Sequence, residues 1–125
     1  MYKPLTKEQL KKFIKIKEMY EEELILGRSL GEAIAYAQIS HDPKQLMDLG
    51  KHSDWFVRYS AFKNPHMPFE ILKKAGNTKD PYIKSGISKN TSTPFEIIKK
   101  LMHDPDKDIA ANAEKTLMLK RIKRD

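Results

Sequence analysis

Apolar residues recur through the second half of the chain in short bursts, at spacings of three and four, and each burst is closed by Asp, Asn, Gly or Pro. That spacing predicts helices of two or three turns, since strands would alternate. Phe95, Ile98 and Leu101 mark one such helix, opened by Pro94 at a place suited to N1, with Thr93 and Glu96 set as a capping box. A second kind of helix begins after Asp54, Asp80 or Asp104 to Asp106, whose carboxylates are suited to cap backbone N–H groups. It ends near Asn64 or Asn90, and Pro65 blocks continuation. Nearer the start, Thr6 to Leu26 carries Leu10, Phe13, Ile14, Tyr20 and Leu24 on related turns, with a Thr6–Gln9 capping box and Gly27 as a stop. Ser29 with Glu32 opens another helix to about Ile39. From Asp106 to about Lys123 the pattern is one longer helix with Ile109, Ala113, Leu117 and Met118 inward.

The bursts repeat. A shift of 26 lays Pro68-Phe-Glu-Ile-Leu-Lys-Lys on Pro94-Phe-Glu-Ile-Ile-Lys-Lys, and carries Asp54 onto Asp80 and Asp106. It carries Val57 onto Ile83 and Ile109, Ala61 onto Ile87 and Ala113, and Asn64 onto Asn90. Self-similarity at a fixed period is the mark of stacked units that cannot bury an apolar face alone. The expected fold is all-α: a short α-solenoid of two-helix repeats, each about 26 residues long. Its expected core is Val57, Ala61, Ile71, Leu72, Ile83, Ile87, Ile97, Ile98, Ile109, Ala113 and Leu117. We read residues 1–125 as a single domain: N-terminal capping helices over 1–41, repeats over 42–117 and a basic C-terminal tail over 118–125.

The run Asp54-Trp-Phe-Val-Arg, with Ala61, Asn64-Pro65, Pro68, Leu72, Asp80 and Ile83-Lys84, resembles the leucine-rich repeat variant family, a relative in shape of HEAT-type solenoids. The resemblance spans roughly 42–117 and implies a right-handed α-solenoid, a stack of paired short helices with one of each pair often nearer a 3₁₀ helix. Thr91 stands where Pro is expected and Ala110 where Arg or Lys is expected, so the last unit departs from the pattern. The iron–sulfur cluster of some members does not carry over, because its ligands are missing. Some larger HEAT-like proteins are DNA glycosylases, but this chain is too short to surround a damaged base.

Composition narrows the function. With 39% hydrophobic and 33% charged residues, the chain has enough apolar content to fold and enough charge to stay in solution. Cysteine is absent, which excludes disulfides, thiolate metal sites and a cysteine nucleophile. Met1-Tyr-Lys-Pro lacks the apolar stretch of a secretory signal, and no run approaches the roughly 18 apolar residues of a membrane span, so we expect a cytoplasmic, soluble chain without membrane contact. The net charge is +7, and its surplus lies wholly in residues 55–125, which hold 15 Lys and Arg against 8 Asp and Glu.

Stacking converts repeat positions into rows, and cations occupy several of them. Lys63, Lys89 and Lys115 share one position, Lys73 and Lys99 a second, Lys74 and Lys100 a third, and Arg58 and Lys84 a fourth. Such rows suit an acidic protein surface or a phosphate backbone; lysines near helix C-termini also answer the helix dipole and keep a surface wet. Trp55, Tyr59 and Phe62 form an aromatic stripe beside Arg58, opposite Val57 and Ala61. It reads as a partner anchor, a stacking platform for bases, or core packed beneath the N-terminal helices.

The other motifs carry no chemistry. Asp104-Pro-Asp-Lys-Asp opens like a calcium loop, but Ile109 and Lys115 occupy positions that need Gly and Glu. His41, His52, His66 and His103 lack a metal spacing and read as surface or capping residues. Asn90-Thr-Ser is a sequon without a secretory context. No phosphate loop or nucleophile elbow is present. The expectation is a non-enzymatic interaction module, without cofactor, metal or small-molecule substrate, whose basic face meets an acidic protein; nucleic acid is the alternative partner.

Overall fold

The computed structural model describes residues 4–20 and 28–124, and every regular element among them is a helix. In chain order these are α1 (Lys7–Tyr20), α2 (Arg28–Ile39), α3 (Pro43–Leu49), α4 (Trp55–Lys63), α5 (Phe69–Ala75), α6 (Pro81–Ser88), α7 (Phe95–Leu101) and α8 (Lys107–Arg124). Leu24, Leu26 and Gly27, with the side chains of Tyr20 and Ser29, lie outside the described residues.

Aspartates start the helices of one set. Asp54 accepts from the backbone N–H groups of Phe56 and Val57. Asp80 does the same for Tyr82 and Ile83, and Asp106 for Asp108 and Ile109. Each carboxylate satisfies two of the donors a helix start leaves open. Pro68 and Pro94 instead take the N-cap position of α5 and α7 with no side-chain cap. The capping box expected at Thr93 and Glu96 therefore does not form, because the Thr93 hydroxyl is buried and donates to the Ile87 carbonyl. The box at Thr6 and Gln9 is made in both directions, each bond 3.1 Å.

Helix α4 packs between α2 and α6, and α6 between α4 and α8, while α3, α5 and α7 are short connectors beside this set. The α4–α6 crossing is close: a Cβ on Gly86 would stand 2.7 Å from the Tyr59 carbonyl oxygen, so only glycine fits. Val57, Ala61, Leu72, Ile87, Ile98, Ile109, Ala113 and Leu117 are buried, whereas Ile71, Ile83 and Ile97 are half-buried against them.

Polar groups spaced by the same period link the elements. The Asn64 side-chain amide donates to the carbonyls of Ala37 and Ser40 at 3.0 and 2.9 Å. Asn90 donates to those of Phe62 and Asn64 at 2.7 and 2.9 Å. Thr116, one period further on, donates to Ser88 at 2.7 Å. All three are buried, and each satisfies carbonyls at the end of a preceding helix.

Two sequence expectations need correction. Leu10 and Ile14 are about half exposed, since α1 has only α2 as a major neighbour. Met118, expected inward, is 59% exposed because it falls one residue past the buried line of Ala113 and Leu117. The longer helix expected from Asp106 to about Lys123 is α8, which carries the basic residues at 118–124.

Candidate functional site

Arg58 and Lys84, at one repeat position, face inward to neighbouring elements. The Arg58 Nε lies 2.8 Å from the Asp80 carboxylate, and its Nη1 donates to the carbonyls of His52 and Ser53. Lys84 sits 3.0 Å from Asp104. The backbone N–H of Asp106 and then Lys84 hold the Asp104 carboxyl below its ordinary value. This region, which opens like a calcium loop in sequence, thus binds its own backbone and a lysine. Lys100 donates to the Gly76 carbonyl and the Asn77 side chain, which makes it another internal tie.

The remaining cations divide between two helix sets. Lys73, Lys74 and Lys99 lie on α5 and α7, with Lys99 4.7 Å above the Phe95 ring. Lys63, Lys89 and Lys115 belong to α4, the C-cap of α6, and α8. Lys115 is exposed and makes no ion pair among the described residues. Lys63 and Lys89 converge on one ring: their ammonium groups are 5.8 and 5.0 Å from the Tyr59 centroid, and Lys89 also donates to the Tyr59 hydroxyl at 2.8 Å. Of the cations in the rows, Arg58, Lys84 and Lys100 are thus tied internally, and Lys63 and Lys89 meet at Tyr59.

The aromatic stripe also divides. Phe62 is buried core, whereas Trp55 is 49% exposed and lies against Tyr82, with ring centroids 4.8 Å apart. Phe56 continues the series, edge-on to Trp55 and stacked on Tyr59 at 5.8 Å. Packing of Trp55 beneath the N-terminal helices is thereby corrected: the ring lies against Tyr82 of α6. Trp55 is the sole tryptophan, so emission should be red-shifted and open to acrylamide in the intact chain. Blue, quencher-resistant emission would contradict this exposure.

Beside Tyr59 lies a groove of about 460 Å³ lined by Gln38, Phe56, Tyr59, Ser60, Lys63, Asn64 and Pro65. Ser60 is only 3% exposed, and its hydroxyl has no hydrogen-bond partner among the described residues. The Asn64 amide is already committed to Ala37 and Ser40. Sequence reasoning missed Ser60, yet a signal existed: its equivalents at the period of 26 are Gly86 and Asn112, so this position departs from the repeat.

Of the histidines, His66 adjoins the groove, its backbone N–H donating to the Asn64 Oδ1 at 2.8 Å. His52 accepts from the Asp54 N–H, and His41 stacks on His66 with centroids 3.9 Å apart. Desolvation, followed by the charge of His41, holds His66 below its ordinary value. The unfolded chain then takes up the proton more readily, so the contribution of His66 to stability is complete above about pH 6.5 and is lost as pH falls through its folded value. Melting temperature should drop between about pH 7.5 and 5.5, and His66→Gln should shrink that drop. Equal drops in parent and variant would assign the effect elsewhere.

Among the described residues, no group of three His, Asp or Glu is arranged to hold a metal ion, and no helix is long and apolar enough to cross a membrane. No protein-family model, curated protein or solved structure matches the chain.

Proposed function

We propose that the chain is a short right-handed α-solenoid acting as a non-enzymatic interaction module, and that it binds an acidic protein surface. The carrying observation is the convergence of Lys63 and Lys89 on Tyr59 at the lip of the Ser60 groove. Charge there attracts carboxylates, and the half-covered rings beside it supply apolar area of the kind that anchors protein interfaces. The period of 26, kept by the aspartate caps and by Asn64, Asn90 and Thr116, supports the stacked-repeat architecture and its likeness to leucine-rich repeat variants.

Two features favour protein over nucleic acid. A phosphate backbone calls for a continuous track of free cations, whereas Arg58, Lys84 and Lys100 of the rows are tied to groups of the chain itself. Bases call for open ring faces, but Trp55 lies against Tyr82 and Phe56 is stacked on Tyr59. Photo-crosslinking in cells tests the reading. A benzophenone amino acid at Lys63 should give a discrete protein adduct that survives nuclease, while the same group at Glu70 should not. Adducts that vanish with nuclease would transfer the assignment to nucleic acid.

A further inference from the structure

The groove beside Tyr59 combines three properties. Its walls are apolar where Phe56, Tyr59 and Pro65 line it, and its lip is cationic at Lys63, with Lys89 close by. Within it Ser60, 3% exposed, carries a hydroxyl that no described group satisfies. Buried hydroxyls are ordinarily paired, and leaving one unpaired costs stability. Alanine is also the better helix former, so folding alone gives no reason for serine at the sixth residue of α4. A volume of about 460 Å³ lies within the roughly 300–1,000 Å³ of sites that hold small ligands, which suits a few residues of extended peptide.

We propose that this groove is an anchor site for an extended acidic peptide segment, and that it takes one large apolar side chain flanked by Asp or Glu. The inference rests on the reading of the chain as a binder of an acidic protein and specifies what that protein must present. The apolar side chain lies on Phe56 and Pro65. A main-chain carbonyl of the peptide accepts from the Ser60 hydroxyl, which turns about χ1 without giving up any existing hydrogen bond. The flanking carboxylates meet Lys63 and Lys89. Charge alone would favour any acidic surface; the groove and its hydroxyl select a carbonyl beside an apolar residue.

The test uses the full chain, labelled with ¹⁵N, and three probes. One is a pool of capped peptides Asp-Glu-X-Asp-Glu with X as Phe, Leu, Tyr or Trp; the second has X as Gly; the third is an eight-residue thymidine oligonucleotide. The first pool should shift the amides of Gln38 and of residues 56–64, and bind about fivefold more tightly than the Gly peptide, a difference of about 1 kcal/mol. Ser60→Ala should weaken that binding about fivefold while leaving the melting temperature equal or higher, because it removes an unpaired hydroxyl. Lys63→Ser should weaken both peptides alike. If Lys63→Ser weakens binding but Ser60→Ala does not, or if the Gly peptide binds as tightly as the pool, the anchor site is overturned and the acidic-partner reading stands. If neither peptide moves these amides, or if the oligonucleotide moves them at lower concentration, both are overturned.

Discussion

Replacing Asn90 with Ala should lower stability by about 4 kcal/mol, among the largest losses any single polar substitution here would cause. Asn90 is 1% exposed and joins three backbone groups: its amide donates to Phe62 and Asn64, and its Oδ1 accepts from the Ser92 N–H. Alanine supplies none of these contacts. The Phe62 carbonyl and the Ser92 N–H are stranded, each at roughly 1–3 kcal/mol if water stays out, while the Asn64 carbonyl keeps the Met67 N–H. For a chain of this length, the melting temperature followed by circular dichroism should fall by about 15 °C. Asn77, which is exposed, provides the control, and Asn77→Ala should shift the midpoint little. A loss below about 1 kcal/mol for Asn90 would mean that water satisfies the stranded groups.

The second large effect comes from adjacent isoleucines of unequal burial. Ile98 is fully buried on α7, whereas Ile97 is half-buried over Gly76. Ile98→Ala should cost about 3–4 kcal/mol from lost transfer energy plus the cavity left behind. Ile97→Ala should cost about half as much, since less area leaves water and solvent can fill the gap. Urea unfolding gives both values directly. Equal losses would mean that α7 is rotated about its axis relative to the structure.

The sequence made Ile97 and Ile98 look alike because a repeat shift identifies equivalent positions without saying what faces them. That same logic located the aspartate caps and the buried line Val57, Ile87, Ile98 and Ala113, where local chemistry and the period agree. It failed where a side chain's role depends on a neighbour across the stack. Arg58 and Lys84 look like members of a cationic face, yet each reaches an aspartate more than 19 residues onward. Trp55 looks like core, but its neighbour on α6 is Tyr82, and the pair remains half in solvent. Ser60 escapes notice for the opposite reason: the period finds what recurs, and position 60 differs from its equivalents Gly86 and Asn112. At the ends the pattern also misleads: Leu10 and Ile14 have helical spacing on α1, which packs mainly on α2, and Met118 lies one residue past the buried line of α8.

Asp80 gives its two oxygens to two different tasks. Its Oδ1 caps the start of α6 and its Oδ2 holds Arg58 on α4. A group that closes one helix and moors the helix before it links their fraying, because any movement of the Asp80 carboxylate loosens the cap of α6 and the Arg58 contact together. In stacked proteins such nearest-neighbour coupling decides whether units open singly or together. The slow-exchanging amides of α4 and α6 should therefore open as a single kinetic block, with one common protection factor, and not as two graded steps.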